Sequence, residues 1–192
     1  MNTGRVDVSC HVGSFLGVPD VDGTTQLECE IEFMVNPPRY VPRPTVVPAG
    51  QLLPINGGVF GFKREMIPYI HYTLWCAELK YRRFDDIWMG IILKRWMDAS
   101  GYNISYGPPF VNHIRASDAV INAEYEEEGK KWNEVFWQEL DEGLLPKLAN
   151  TERDPDKVFR LIATCLTQME NTWAYQEGHA MIAWRQLFSQ DS

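Results

Sequence analysis

The sequence predicts an α/β fold, with a small mixed sheet followed by a helical C-terminal tail. Three observations carry this. Apolar and polar residues alternate in the first third of the chain. From Asp86 onward apolar residues recur at helical spacing, and everything after Asp154-Pro155 keeps that spacing. The 192 residues are 45% hydrophobic and 12% aromatic, enough for one ordinary domain with a sizeable core. The net charge of −8 argues against non-specific nucleic-acid binding, which needs a basic surface. No apolar run reaches the roughly 18 residues a membrane span requires. Met1-Asn2-Thr3-Gly4-Arg5 lacks the apolar core of a signal peptide. Cys10, Cys29, Cys76 and Cys165 are scattered without CxxC spacing, so they read as free, mostly buried thiols, and a cytoplasmic location is expected.

Val6, Val8, Cys10 and Val12 alternate with polar residues and predict a half-buried strand. Gly17 to Gly23 is dense in turn formers. Its Asp20-x-Asp22 pair fits a metal-binding carboxylate pattern, but Asx-turn chemistry accounts for both acids equally well. Leu27, Cys29, Ile31, Phe33 and Val35 alternate with Glu28, Glu30 and Glu32, which predicts a strand with one acidic face over residues 24–35. Six prolines between Pro37 and Pro54 forbid a helix and predict a long ordered loop or lid. Gly57, Gly58 and Gly61 among aromatics imply a backbone that something approaches closely. Ile67, Ile70, Leu74 and Ala77 predict a short helix from Lys63 to about Leu79.

Tyr81-Arg82-Arg83-Phe84-Asp85-Asp86-Ile87-Trp88-Met89-Gly90 opens the next helix, which Ser100-Gly101 stops. Either acid can cap the helix, because a short carboxylate accepts its first free N–H groups. A cap needs only one acid. The second carboxylate and the arginines are left for chemistry, or else form a solvated charge cluster, the commoner outcome for such groups. Residues from Tyr102 predict a strand ending in Gly107-Pro108-Pro109, then a polar cluster through Asn112, His113, Arg115 and Ser117. There His113 could hold a metal or a phosphate, or be a hydrogen-bonded structural histidine. Glu124 to Glu128 reads as a solvated face or linker. Trp132, Phe136, Leu140 and Leu144 mark a helix ending near Pro146. Asp154 caps a helix faced by Val158, Leu161, Ile162, Cys165, Leu166 and Met169, and a last helix carries Trp173, Ala180, Ala183, Trp184 and Leu187.

Several separated motifs, in one order, resemble the plant reversibly glycosylated polypeptides, the UDP-arabinopyranose mutase family. They are Arg83-Phe84-Asp85-Asp86-Ile87-Trp88-Met89-Gly90, Gly107 to Ser117, and Val135-Phe136-Trp137-Gln138-Glu139. Upstream, Val18-Pro19-Asp20-Val21-Asp22, Thr25-Gln26-Leu27 and Phe62-Lys63-Arg64-Glu65 belong to the same likeness. The resemblance implies a glycosyltransferase-A type fold, of which residues 1–150 form the C-terminal half and residues 151–192 a helical extension. It implies a nucleotide-sugar enzyme, a glycosyltransferase or UDP-sugar mutase, acting on a UDP-linked pentose or hexose with Mn²⁺ or Mg²⁺. Asp85 and Asp86 are then catalytic. Gly57, Arg83, Trp88, Arg115 and Ser117 bind substrate, and His113 helps hold the metal or diphosphate. The family's nucleotide-binding half has no counterpart in this sequence, so the expected partners are a separate chain that supplies it, or alternatively further copies in a homo-oligomer. Val59 stands where the family has an amide. A non-catalytic assembly protein derived from a transferase is the alternative.

Overall fold

The computed structural model describes residues 6–17, 21–29, 43–55, 57–74, 81, 83–114, 118–148 and 153–189. A four-stranded mixed sheet is built from β1 (Cys10–Gly17), β2 (Thr45–Val46), β3 (Phe60–Phe62) and β4 (Ile104–His113), in the order β2-β4-β1-β3. β1 and β4 run parallel, with Cys10 opposite Ile104 and Gly17 opposite His113. β3 pairs antiparallel with β1, and β2 antiparallel with β4. The helices are α1 (Gly23–Glu28), α2 (Asp85–Ser100), α3 (Ala119–Leu148), α4 (Pro155–Thr167) and α5 (Thr172–Leu187), with a 3₁₀ helix at Arg64–Tyr69.

The first strand forms, with Cys10 and Val12 buried, but it starts only at Cys10 and runs on to Gly17, while Val6, read as inward-facing, precedes it and is exposed. The expected strand over 24–35 does not. Its described part is α1, and residues 30–35 lie outside the described residues. Asp22 caps this helix by accepting from the Thr25 N–H, while Gly23 and Gln26 face inward and Leu27 is exposed. Leu27 and Cys29 alternate as a strand would, yet docking against α3 selects the helix instead. The expected helix from Lys63 shrinks to the 3₁₀ segment, which contains Pro68. Residues 70–74 are irregular, and residues 75–79 lie outside the described set. β4 runs through Gly107-Pro108-Pro109 and on to His113, so the strand does not stop at those residues. Of the proline-rich loop, the described part is ordered against α2. There Lys94 Nζ donates to the Pro48 carbonyl at 2.9 Å, and the Gly50 N–H donates to Asp98 at 2.9 Å.

α2 is the centre of the molecule. Every residue from Trp88 to Met97 is buried, as expected of a helix covered on all sides. Gly101 ends it in the left-handed region, at φ 81°. Trp96 stacks on Tyr69 at 4.5 Å, and Trp88 packs against Trp173 at 4.5 Å. Each such side chain contributes about 2 kcal/mol or more through burial. One contiguous core runs from Cys10 in β1 to Met181 in α5, so the sheet and the C-terminal helices share it. Asp154 caps α4 as expected, accepting from the Asp156 and Lys157 N–H groups.

Candidate functional site

The sheet's register brings distant residues to one edge. β1 and β4 are parallel, so Gly17 and His113 mark their common carboxyl end. β3 runs antiparallel to β1 with Phe60 opposite Val12, which sends the preceding residues Gly57 to Val59 toward that same end. In open α/β sheets, this is the end where ligands gather.

Here the head of α2 meets Gly57. The Gly57 N–H lies 3.4 Å from one carboxylate oxygen of Asp86, and the Ile87 N–H donates to the other at 2.8 Å. The cap position itself is Phe84, without a side-chain bond, so neither acid caps the helix from that position. Both sit instead in its first turn, where the helix dipole favours negative charge. The Tyr72 hydroxyl rests against the bare Gly57 main chain, in space that a Cβ would take unless the half-exposed Tyr72 side chain swung aside. Thr73 donates its hydroxyl to the Asp85 carbonyl. Burial, then the charges of Asp86 and Asp85, push the Tyr72 phenol above its usual value. It is therefore a proton donor at neutral pH, although its ring is half exposed. Tyr72 and Thr73 were not legible as site residues, since nothing in their spacing links them to Asp85 or Gly57.

A polar network continues from this point across α3 and α1. Arg83, held at φ 68°, donates Nε to Glu126 at 2.9 Å, and the Gly23 N–H donates to the other Glu126 oxygen at 2.8 Å. Glu126 is thus a buried hub inside α3, whereas Glu124, Glu127 and Glu128 are exposed. The acidic run is neither a linker nor wholly solvated. Lys130 pairs with Asp22 and bonds Thr24 at 2.7 Å. Burial pushes the Asp22 carboxyl up. Hydrogen bonds from Lys130 and Thr25 outweigh that and hold it at about 2, against an ordinary 3.8. The stabilisation from this depressed acid is fully present above about pH 4 and is lost as the pH falls from there through about 2. Lys130→Met is expected to move the Asp22 titration back toward its ordinary value, read from the carboxyl carbon shift by NMR.

The remaining candidates are placed as follows. His113 ends β4, half-buried, with its ring 4.8 Å from that of Phe15. Trp88 is fully buried in an aromatic cluster, its indole N–H donated to Asn133 at 2.9 Å, and it offers no surface to a ligand. Arg115, Ser117 and Asp20 lie outside the described residues. Among the described residues, no three His, Cys, Asp or Glu side chains are grouped to hold a metal ion. No helix there is long and apolar enough to cross a membrane.

The sequence profile described as "Reversibly glycosylated polypeptide" matches residues 2–192. Among curated proteins, the chain is 33% identical over 140 residues to "UDP-arabinopyranose mutase 3" of Arabidopsis thaliana, covering 72% of this chain and 36% of that protein. It is 34% identical over 128 residues to "Probable UDP-arabinopyranose mutase 1" of Pisum sativum, covering 66% and 33%. It is 28% identical over 181 residues to "Probable UDP-arabinopyranose mutase 1" of Zea mays, covering 90% and 47%. The chain thus spans between a third and a half of the length of these relatives.

Proposed function

The chain belongs to the reversibly glycosylated polypeptide family, and from that membership we propose that it acts on UDP-linked sugars, as a UDP-sugar mutase or a glycosyltransferase. One observation carries the reading to particular residues. Gly57, which the family likeness assigns to substrate, and Asp86, in the Arg83 to Gly90 motif, lie 29 positions apart and meet where the Gly57 N–H faces the Asp86 carboxylate.

In this proposal the head of α2 is the sugar half-site. Asp86 is held by two main-chain N–H groups, so its charge is fixed before the sugar reacts. Positive charge gathers at the anomeric carbon as its bond to the diphosphate loosens. A carboxylate already in position stabilises that charge without reorganising, or orients the hydroxyl that attacks the carbon. Asp85 supplies a second carboxylate beside it. The protonated Tyr72 phenol donates to a sugar oxygen, and the bare main chain of Gly57 lets the ring lie close. His113, which ends β4 at the same sheet edge, takes the diphosphate side, and the family likeness assigns Arg115 and Ser117 to the same task.

The divalent cation belongs to the proposal as well. The described side chains do not assemble a ligand set for it, so no step here passes through it. A glycosyltransferase-A arrangement and a cytoplasmic location complete the reading. The mixed sheet, with its site at the strands' carboxyl edge, supports the first. Val59 replaces the family's amide, so the sugar is assigned only as a UDP-linked pentose or hexose. A non-catalytic assembly role is not favoured, because the relatives are named as mutases.

Calorimetric titration of UDP-sugars, with and without Mn²⁺, tests the proposal. Saturable binding is expected, and Asp86→Asn should weaken it by about tenfold, equal to about 1.4 kcal/mol. Affinity unchanged by the substitution would remove Asp86 from the sugar site. No binding up to millimolar sugar nucleotide would overturn the reading for this chain.

A further inference from the structure

Glu177 lies in α5, fully buried and far along the sequence from the head of α2. A carboxylate is a costly way to fill a buried position, since an apolar side chain of similar size packs there without losing hydration. What it provides instead is direction. One Glu177 oxygen accepts from His71 Nδ1 at 2.8 Å, and the other from the Leu74 N–H at 2.9 Å. Trp173, one turn earlier on α5, donates its indole N–H to the Leu74 carbonyl at 3.1 Å. Both main-chain polar groups of Leu74 are therefore held by α5. Asn171, which caps the same helix, donates its amide to the Tyr81 hydroxyl at 3.1 Å. α5 thus grips the chain at Leu74 and again at Tyr81, two residues before Arg83.

Tyr72 and Thr73 lie between His71 and Leu74, the two points that Glu177 holds. Tyr72 presents its hydroxyl beside Gly57, and Thr73 bonds the Asp85 carbonyl. We propose that Glu177 is a positioning residue for the Asp85–Asp86 site, fixing through Leu74 the strap that carries Tyr72 and Thr73, a role that rests on the sugar-site reading above. The C-terminal helix then sets the geometry of the site from behind, through Leu74 and Tyr81. When Glu177 is removed, the Leu74 N–H loses its acceptor, the strap shifts, and Tyr72 moves away from Asp86.

The test needs no sugar nucleotide. The Tyr72 phenol is titrated by NMR in chain labelled at the tyrosine ring carbon that bears the hydroxyl, with and without Asp86→Asn. In the otherwise unchanged chain, Asp86→Asn is expected to shift the Tyr72 titration downward, because it removes a nearby negative charge. In Glu177→Met that shift should vanish, while the methyl signals of Val158 and Ile162 stay in place to report an intact α4 core. Trp173→Phe removes the bond to the Leu74 carbonyl, leaves both Glu177 bonds in place and keeps a smaller ring in the core. It should shrink the shift, and it decides the matter if the methionine variant does not fold. A shift of full size in either folded variant overturns the proposal, as does a chain in which Tyr72 does not respond to Asp86→Asn at all. A lost shift in a chain that still binds no UDP-sugar would sustain the positioning role while the sugar-site reading failed.

Discussion

Gly90→Ala is expected to destabilise the protein by about 3 kcal/mol, which lowers the thermal midpoint of a domain this size by roughly 6–12 °C. Gly90 lies in the middle of α2, where alanine is ordinarily the better helix former by about 1 kcal/mol. Tertiary contact reverses that preference. A Cβ on Gly90 would overlap the Ile55 N, and would lie 2.7 Å from the Leu53 carbonyl oxygen and 2.9 Å from the Pro54 carbonyl carbon. These are main-chain atoms, so no rotamer change makes room, and the 53–55 segment must move off the helix. Gly57 follows two residues later and faces Asp86. The same substitution should therefore weaken UDP-sugar binding in whatever fraction of the chain stays folded. Differential scanning calorimetry beside the titration reads both effects. An alanine variant with an unshifted midpoint would mean that the loop does not rest on the helix.

Asp141→Ala should cost about 3–5 kcal/mol, the range for breaking a buried ion pair. Arg95 and Asp141 form a bidentate pair between α2 and α3, Nε to Oδ1 at 2.7 Å and Nη2 to Oδ2 at 2.6 Å. Their side chains are only 9% and 17% exposed. With the acid gone, the guanidinium stays in the core, where the Gly50 carbonyl still accepts from it at 3.1 Å. The double substitution Arg95→Met with Asp141→Leu should lie within about 1 kcal/mol of the parent, since neither charge is then buried alone. Urea unfolding of the two single variants and the double one gives the coupling energy. A cycle near zero would show that the two charges are screened by water.

The helix at Asp85 could be read from its first turn, its apolar spacing and its Ser-Gly stop, because those signals are local. Asp154-Pro155 announced α4 for the same reason. Gly57 and Asp86 were legible one by one, as a glycine among aromatics and as a carboxylate beyond what a cap needs, and the family motifs gave them roles. Other parts were decided elsewhere in the chain. The alternation over 24–35 promised a strand, but the Asp22 cap and the face of α3 made its first part a helix. Glu126 was indistinguishable from its acidic neighbours until helical phase turned it inward, to Arg83 and Gly23. Lys94 and Arg95 gave no such signal either, yet they are buried anchors for the 48–50 loop and for α3. Tyr72, Thr73 and Glu177 gave no signal, since each acts through a partner that is distant in sequence or through main-chain groups.

By itself, then, the sequence determined the α/β class, the helix of the two aspartates, the start of α4 and the family. Each of these depends on periodicity, capping or a run of adjacent residues. The tertiary structure alone decided which carboxylates are buried, which lysine and arginine anchor the core, and which residues face one another at the sheet's carboxyl edge. These outcomes follow from desolvation and from hydrogen bonds across long sequence separations, where the free energy of a side chain depends on neighbours that its own stretch of chain does not encode.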